Sequence, residues 1–401
     1  MMRFKGAGTL WSPHHPGGDS VRYDPGVDVQ IYGYLEGYSS IANVVRCWVR
    51  ELAGVSQVLG VHNYAPESAT LDGLPEGIRR INPYAPLAIY HGLPARLPPM
   101  LCTNHEITIG AFVCETDRIP DHWTEAANRF DLVIVPSKFC QQAYIRSGVT
   151  VPVIVVPHGV EAEYRPYALR RRDDRFVFYN TFSASSFPVR KGCEELIRCF
   201  TRAFAGRDDV VLRLRTHDAG EVRKWRRRYD RTGLVQMMPY RACSTAEYAG
   251  LFSRADCTVH PSKGEGFGLV PLQSIACETP VIAMPVSGMA DYLNEDNALL
   301  LRSTGRVDGR GWGGQSGNYF GVDEDHLIEL LRRCRDNPER EKSRVSWAAP
   351  ALRRQYAWSS VLAPLVGIVT ELLGAQDTAR ARARLLERLR DTGMDGRAGR
   401  S

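Results

Sequence analysis

The sequence predicts an α/β protein made of two parallel-sheet domains, each built from strand, loop and helix in the manner of nucleotide-binding folds. Three observations carry that expectation. Short β-rich runs alternate with helix-length amphipathic segments along most of the chain, the pattern of strands joined by crossover helices. A length of 401 residues exceeds what one compact core holds, so two or three domains are expected. The stretch Thr258 to Leu293 reads as strand, Gly-containing loop, helix and strand, a unit suited to a parallel sheet.

Residues 1–28 are rich in Gly and Pro and lead into the fold. Val29-Gln30-Ile31-Tyr32 reads as the first strand and Gly33 to Ser40 as a Gly-bearing loop. IANVVRCWVRELA reads as a helix, because its apolar residues recur at helical spacing. A strand from Leu87 to Tyr90 runs into His91-Gly92-Leu93-Pro94, and another from Ile107 to Val113 runs into Cys114-Glu115-Thr116-Asp117. Polar residues set straight after a strand fall at the carboxyl edge of a parallel sheet, where open α/β folds hold ligands. Glu115 and Thr116 are therefore expected on the ligand side, with His91 and His105 as weaker candidates. Glu115 could equally cap the next helix or pair with Arg118, and a lone histidine near a strand end is more often structural than catalytic.

Asp131 to Ser137 and Val153 to Val156 are further buried strands, the second followed by Pro157-His158-Gly159-Val160-Glu161. The polar, Pro-containing segment Tyr164 to Asp174 is the expected linker, with a domain boundary near residue 166. The second domain starts with a strand from Arg175 to Asn180 and a Ser-rich loop, Thr181 to Val189. Arg190-Lys191-Gly192 then opens the helix CEELIRCFTRAF. A basic pair at a helix N-terminus opposes the macrodipole unless an anion sits there, so Lys191 and Arg190 are expected to hold phosphate. Val210 to Arg215 is the next strand, and residues 221–229 form a basic helix read as a solvated face; its aromatic interleaving leaves nucleic-acid or acidic-membrane contact open. Ser244 to Glu247 starts another helix.

In the Gly-containing loop, Gly264, Gly266 and Gly268 let the backbone approach a bulky polar ligand. The N–H groups of Phe267, Gly268 and Leu269 open a helix and can donate to phosphate or sugar oxygens. Glu265 can accept from ligand hydroxyls, and Gln273, about two helical turns on, faces the same pocket by periodicity. A plain strand-to-helix turn whose glycines serve only geometry is the alternative. Ser303 to Asn318, with Arg306, Arg310 and Trp312, is a Gly-rich insertion expected to be mobile. Helices follow from Asp323 and around Trp358 to Val361, and an Arg-rich helix from Thr378 frays into a disordered end.

Pro261-Ser262, Glu265 to Leu269, Gln273, Ala276 and Pro280 to Ala283 together resemble the signature of family 4 (group 1) glycosyltransferases. Val135-Pro136-Ser137, Pro157 to Val160 and Lys191-Gly192 resemble further landmarks in the family's order, and the run from Glu115 to Trp123 resembles a motif of a bacterial branch. The likeness covers most of residues 31–365. It implies the GT-B fold, two Rossmann-like domains facing across a cleft. Residues 1–165 would be the acceptor side and 166–345 the nucleotide-sugar domain, with helices 346–374 recrossing to the first domain and 375–401 an Arg-rich, partly disordered tail.

The resemblance further implies a retaining transfer of sugar from a UDP- or GDP-sugar to a hydroxyl, with no metal and no other cofactor. Glu265, Lys191, Arg190 and Glu115 would be catalytic. Gly264, Gly266, Phe267, Gly268, Leu269 and Gln273 would bind the donor, as would Gly37 and Tyr38 in the first loop, for which a plain turn is the other reading. Thr116, His91 and His105 would face the acceptor. Two departures stand out: the family's second glutamate, which holds the nucleotide ribose, is Gln273, and its helix-end glycine is Glu278.

A net charge of +6 permits an anionic donor, acceptor or membrane surface and selects none of them. Ten cysteines without a C-x-x-C pair read as reduced core residues, not a disulfide framework or zinc site. With no secretion signal and no apolar run of membrane-spanning length, a cytoplasmic protein is expected, with peripheral membrane contact open. The expected acceptor is a glycan, lipid-linked sugar or small metabolite, since Tyr32, Tyr34, Tyr38 and Trp123 near strand ends suit stacking on a sugar ring. The alternatives are a glycosyltransferase acting on hydroxymethylated DNA bases, tracked by the basic segments, and a non-catalytic nucleotide-sugar or nucleic-acid binding module, for which Gln273 is the best support.

Overall fold

A computed structural model describes residues 26–391, except 36–39, 56–58, 64–73, 75–81, 95–104, 169–173, 183–188, 217–219, 232, 239–242 and 310–315. Gly37, Tyr38, Arg310 and Trp312 lie outside the described residues.

The first sheet contains β1 (Val29–Gly33), β2 (Leu59–Asn63), β3 (Leu87–Gly92), β4 (Ile107–Phe112), β5 (Leu132–Val135) and β6 (Val153–Val155). The strands are all parallel, in the order β2-β1-β3-β4-β5-β6. Every residue of β4 and β5 is buried, as expected where both faces of a parallel sheet are covered. Helices α1 (Ser40–Leu52), α2 (Asp121–Ala127) and α3 (Lys138–Arg146) pack around it. α1 buries one stripe, including Val44, Val45, Trp48 and Leu52, and Ser137 caps α3 by accepting from Cys140 N at 3.2 Å.

The second sheet holds β7 (Phe176–Thr181), β8 (Val210–Arg215), β9 (Val235–Met238), β10 (Cys257–His260), β11 (Val281–Ala283) and β12 (Leu299–Leu300). Its order is β12-β11-β10-β7-β8-β9, again parallel, so the chain winds outward from β7 in one direction and from β10 in the other. Helices α4 (Cys193–Ala203), α5 (Gly220–Tyr229), α6 (Thr245–Ser253) and α7 (Leu269–Ala276) connect these strands. The topological switch point therefore lies between β7 and β10. In such sheets the ligand crevice opens there, outside the carboxyl ends. The loops that leave those two strands carry Arg190-Lys191 and Glu265.

One expectation is corrected here. The Gly-rich insertion is not simply a mobile excursion: β13 (Ser303–Asp308) and β14 (Asn318–Val322) pair as an antiparallel hairpin. It is anchored because Tyr319 is fully buried and because Asp117 of the first domain accepts from Asn318 N at 2.7 Å and from its Nδ2 at 3.2 Å.

After α8 (Glu324–Asp336), helix α9 (Pro338–Gln355) packs on α7, and α10 (Trp358–Leu373) returns to α1 of the first domain. Val160 N donates to Tyr356 O at 2.7 Å where the chain recrosses. The Arg-rich segment is a docked helix, α11 (Thr378–Asp391), with Leu385 and Leu389 buried and Arg382 paired to Asp131. Glu278, just after α7, has left-handed backbone with φ 56°. A strained position of this kind needs outside support. Here Lys342 Nζ bonds the Glu278 carbonyl at 2.6 Å and Arg353 pairs with its carboxylate at 3.3 Å.

Glu161 ties this crossing together, accepting from Asn43 Nδ2 of α1 at 2.6 Å and from Trp358 Nε1 of α10 at 3.3 Å. Burial pushes its carboxyl above the ordinary range, against the pull of those two donors. A carboxyl raised in the folded state favours folding at low pH, and that contribution is lost as pH rises through the raised value. Glu161→Gln should therefore melt increasingly above the parent protein as pH is raised from about 4 to 7, provided Asn43 turns its amide to match. Parallel thermal melts check this, and a gap that narrows with pH would count against it.

The nine described cysteines are all free and, apart from Cys243, buried. Among the described residues no helix is long and apolar enough to cross a membrane.

Candidate active site

The site forms where the loop after β10 meets the end of β4. A Cβ on Gly266 would collide with Val113 and one on Gly264 with the Glu115 carbonyl, so only glycine lets the two domains approach this closely. Ser137 Oγ donates to Gly266 O at 2.6 Å, and Lys138 N donates to Asp291 Oδ2 at 2.8 Å, fastening the same junction. Gly268, at φ 90°, precedes α7, whose first turn has no side-chain cap. That helix start presents N–H groups and the positive end of its dipole toward the crevice.

Glu265 is the centre of the cluster. Its Oε1 accepts from Lys191 Nζ at 2.5 Å, Ser262 Oγ at 2.7 Å and His260 Nε2 at 3.2 Å, while Oε2 lies 3.4 Å from Arg190. Backbone bonds hold the residue in place: Glu265 N donates to Ser287 Oγ at 3.0 Å, and Gly288 N donates to Glu265 O at 2.9 Å. Burial alone would raise the Glu265 carboxyl, but Lys191, Arg190 and His260 outweigh it and hold the group ionised well below the usual range. Burial lowers His260, which is therefore a neutral donor to Glu265.

Arg190 is almost wholly buried and joins the two domains. It bonds Gly264 O in its own domain and lies 3.4 Å from Glu115 Oε1 across the cleft. Burial works against its charge, but Glu115 and Glu265 overcome that and hold the guanidinium above its usual value. Lys191 is drawn down by burial and by Arg190, with Glu265 opposing. Two cations thus share an inward carboxylate beside an uncapped helix start, an arrangement suited to exchanging that carboxylate for phosphate.

The remaining sequence candidates fall in different places. Glu115 and Thr116 sit at the carboxyl edge as expected; Glu115 faces Arg190, and Thr116 Oγ1 donates to Arg118 O at 2.8 Å. His91 ends β3, buried against Trp48. His105 is not brought to the cleft. It precedes β4, at the amino edge of the sheet, where Tyr32 OH and Ala85 O engage its ring at 3.2 and 2.8 Å, which makes it a structural histidine. Gln273 Nε2 donates to Tyr164 OH at 3.0 Å, so its amide is tied to the interdomain linker. Phe267 packs inward against His158, Tyr292 and Tyr356, while Leu269 begins α7.

Two members of the cluster, His260 and Ser262, are absent from the sequence candidates, although both directly follow the apolar run of β10, the same signal that marks Glu115. Asp117, Asn318 and Tyr319 are absent too, because their roles arise only from the hairpin crossing onto the first domain. Among the described residues no group of three or more His, Cys, Asp or Glu is placed to hold a metal ion.

The chain is similar to several known proteins. Residues 188–365 match the family described as Family 4 Glycosyltransferase in conflict systems. The D-inositol 3-phosphate glycosyltransferase of Thermomonospora curvata is 31% identical over 150 residues, covering 37% of this chain and only 30% of that relative's length. The crystal structure of Anabaena HepE in complex with UDP and glucose superposes with TM-score 0.66 at 15% identity, over 86% of this chain and 100% of the other. Sucrose-phosphate synthase from Thermosynechococcus elongatus gives 0.64 at 15% identity, over 88% and 100%. With its two parallel sheets, switch-point crevice and recrossing helices, the chain has the GT-B fold and is similar to the family 4 (group 1) glycosyltransferases.

Proposed function

We propose that this protein is a glycosyltransferase that moves a sugar from a nucleoside-diphosphate sugar to a hydroxyl, with retention at the anomeric carbon. The observation that carries the reading is the convergence of Lys191, Arg190 and the uncapped start of α7 on Glu265 at the switch point. As the diphosphate departs, its developing charge would be met by Lys191, Arg190 and the α7 N–H groups, which are fixed in a largely buried setting where such contacts are strong. Glu265, released from the lysine, would orient the donor sugar through its hydroxyls. By resemblance to the family, the acceptor attacks from the face the nucleotide leaves and a phosphate oxygen takes its proton. Gln273 would accept one ribose hydroxyl, with Tyr164 setting its orientation. UDP is the first base to try, since HepE is described in complex with UDP and glucose. Eight buried free thiols suit a reducing, cytoplasmic setting.

The preferred acceptor is a saccharide or small metabolite. The exposed basic side chains of α5, among them Arg223, Arg226 and Arg227, support hydroxymethylated DNA as the second reading. Release of UDP or GDP from a panel of nucleotide sugars, measured alone, with saccharides and with hydroxymethylated DNA, tests both. Acceptor-stimulated release with labelled saccharide is the expected result. Labelling of the DNA would select the second reading, and no release with any donor would overturn the enzyme assignment.

A further inference from the structure

The β13-β14 hairpin belongs to the second domain and docks on the first. A two-stranded ribbon by itself is marginally stable in water, so its order depends on what it packs against. β14 has two partners at once. Phe320 N donates to Lys263 O in the loop after β10 at 2.9 Å, and Lys263 N donates to Arg190 O at 2.8 Å. Two residues earlier the strand turns to the other domain. Asp117 Oδ1 accepts from Asn318 N at 2.7 Å, Asp117 Oδ2 accepts from Asn318 Nδ2 at 3.2 Å, and Asp117 N donates to Asn318 O at 3.4 Å. Arg118 and Ser316 continue this contact as an antiparallel bridge.

Packing reinforces both attachments. Tyr319, between them, is fully buried, and a Cβ on Gly264 or on Gly309 would collide with its ring, which therefore fills the space between the loop after β10 and the end of β13. The ring of Phe320 lies 6.4 Å from that of Phe139 on α3. Gly317, at φ 90°, passes so close to the first domain that a Cβ there would collide with Asp117 Oδ1 and Arg118 N. Asp117 is largely buried, with Arg306 Nε 3.6 Å away. Bonds accepted by a carboxylate are stronger than bonds between neutral groups, which makes Asp117 the main fastening. Asp117 stands two residues after Glu115, and Lys263 two before Glu265. Each end of the hairpin contact thus lands beside a group that lines the site.

We infer that β14 clasps the two domains and that Asp117, acting through Asn318, is a positioning residue: it fixes the spacing between Glu115 on one wall of the cleft and Arg190, Lys191 and Glu265 on the other. The inference rests on that cleft being the transferase site. Lys191 and the start of α7, which would hold the nucleotide, both belong to the second domain and do not need the clasp. Transfer between reactants held on opposite walls does need it, because small misplacements of reacting groups cost rate.

Hydrogen–deuterium exchange of the full chain without substrate is compared for the parent, Asp117→Ala and Asp117→Asn. Alanine is expected to speed exchange of the Asn318 and Phe320 amides about tenfold or more while β4 and β10 stay protected. Asparagine keeps an acceptor for Asn318 N and should restore most of that protection. In the transfer assay, alanine should lower kcat about tenfold or more with UDP affinity unchanged, and asparagine should recover most of the rate. Hairpin exchange that alanine leaves as in the parent would refute the clasp. A freed hairpin with parental kcat would refute the positioning role, as would equal loss of kcat in both variants accompanied by faster exchange in β4, the mark of a general fold defect. Should Asp117→Ala not fold, Gly317→Ala, on the hairpin side of the same contact, decides by the same measurements. Failure of the transferase reading shows separately, as a parent protein that releases no nucleotide from any donor, and exchange then still tests the clasp.

Discussion

Lys191→Ala is expected to lower sugar transfer by about two or more orders of magnitude, the scale of removing a charged contact to the departing group. Lys191 Nζ lies 2.5 Å from Glu265 at the start of α4, where a cation opposes the helix dipole and gains from an incoming phosphate. The substitution should leave the fold intact. Glu265 keeps Arg190, Ser262 and His260, and the Gly264 carbonyl keeps its bond from Arg190. Turnover should fall with the melting temperature nearly unchanged, and affinity for the nucleoside diphosphate should fall as well. Normal turnover in a folded Lys191→Ala protein would remove Lys191 from the chemistry.

Glu265→Gln is expected to abolish transfer and also to weaken the protein. The substitution keeps the shape but removes the charge that balances Lys191 and Arg190, both largely buried. Stripping the counter-charge from buried ions costs about 3 kcal/mol or more, lessened here because Glu115 still faces Arg190. The pH dependence separates this from a simple packing defect. A carboxyl depressed in the folded state stabilises above its ordinary range, and that contribution disappears as pH falls through the depressed value. The stability gap between parent and Glu265→Gln should therefore be widest near neutral pH and shrink with acidification, as read from denaturant midpoints. A constant gap would mean that Glu265 is not held ionised by these cations.

Much of this site is legible in the amino-acid sequence itself. Val/Ile runs and amphipathic segments specify which residues become parallel strands and crossover helices, because burial on both faces admits little else. The Gly-rich loop and the Arg190-Lys191 pair announce anion chemistry locally, since glycine spacing and charge at a helix start are properties of a few adjacent residues. His105 was misplaced although it precedes the β4 run in the sequence: the carboxyl-edge rule that marks Glu115 puts this histidine at the opposite end, where the structure has it.

The tertiary structure alone decided which of these groups meet. Glu115 faces Arg190 instead of Arg118, Gln273 turns to Tyr164, and Asp117 receives a hairpin from residues about 200 positions away. Local sequence determines the strands, helices and turn chemistry, since those energies are set within a few residues. Which charge pairs with which depends on strand order and on domain closure, and these follow from the burial of the whole chain's apolar surface.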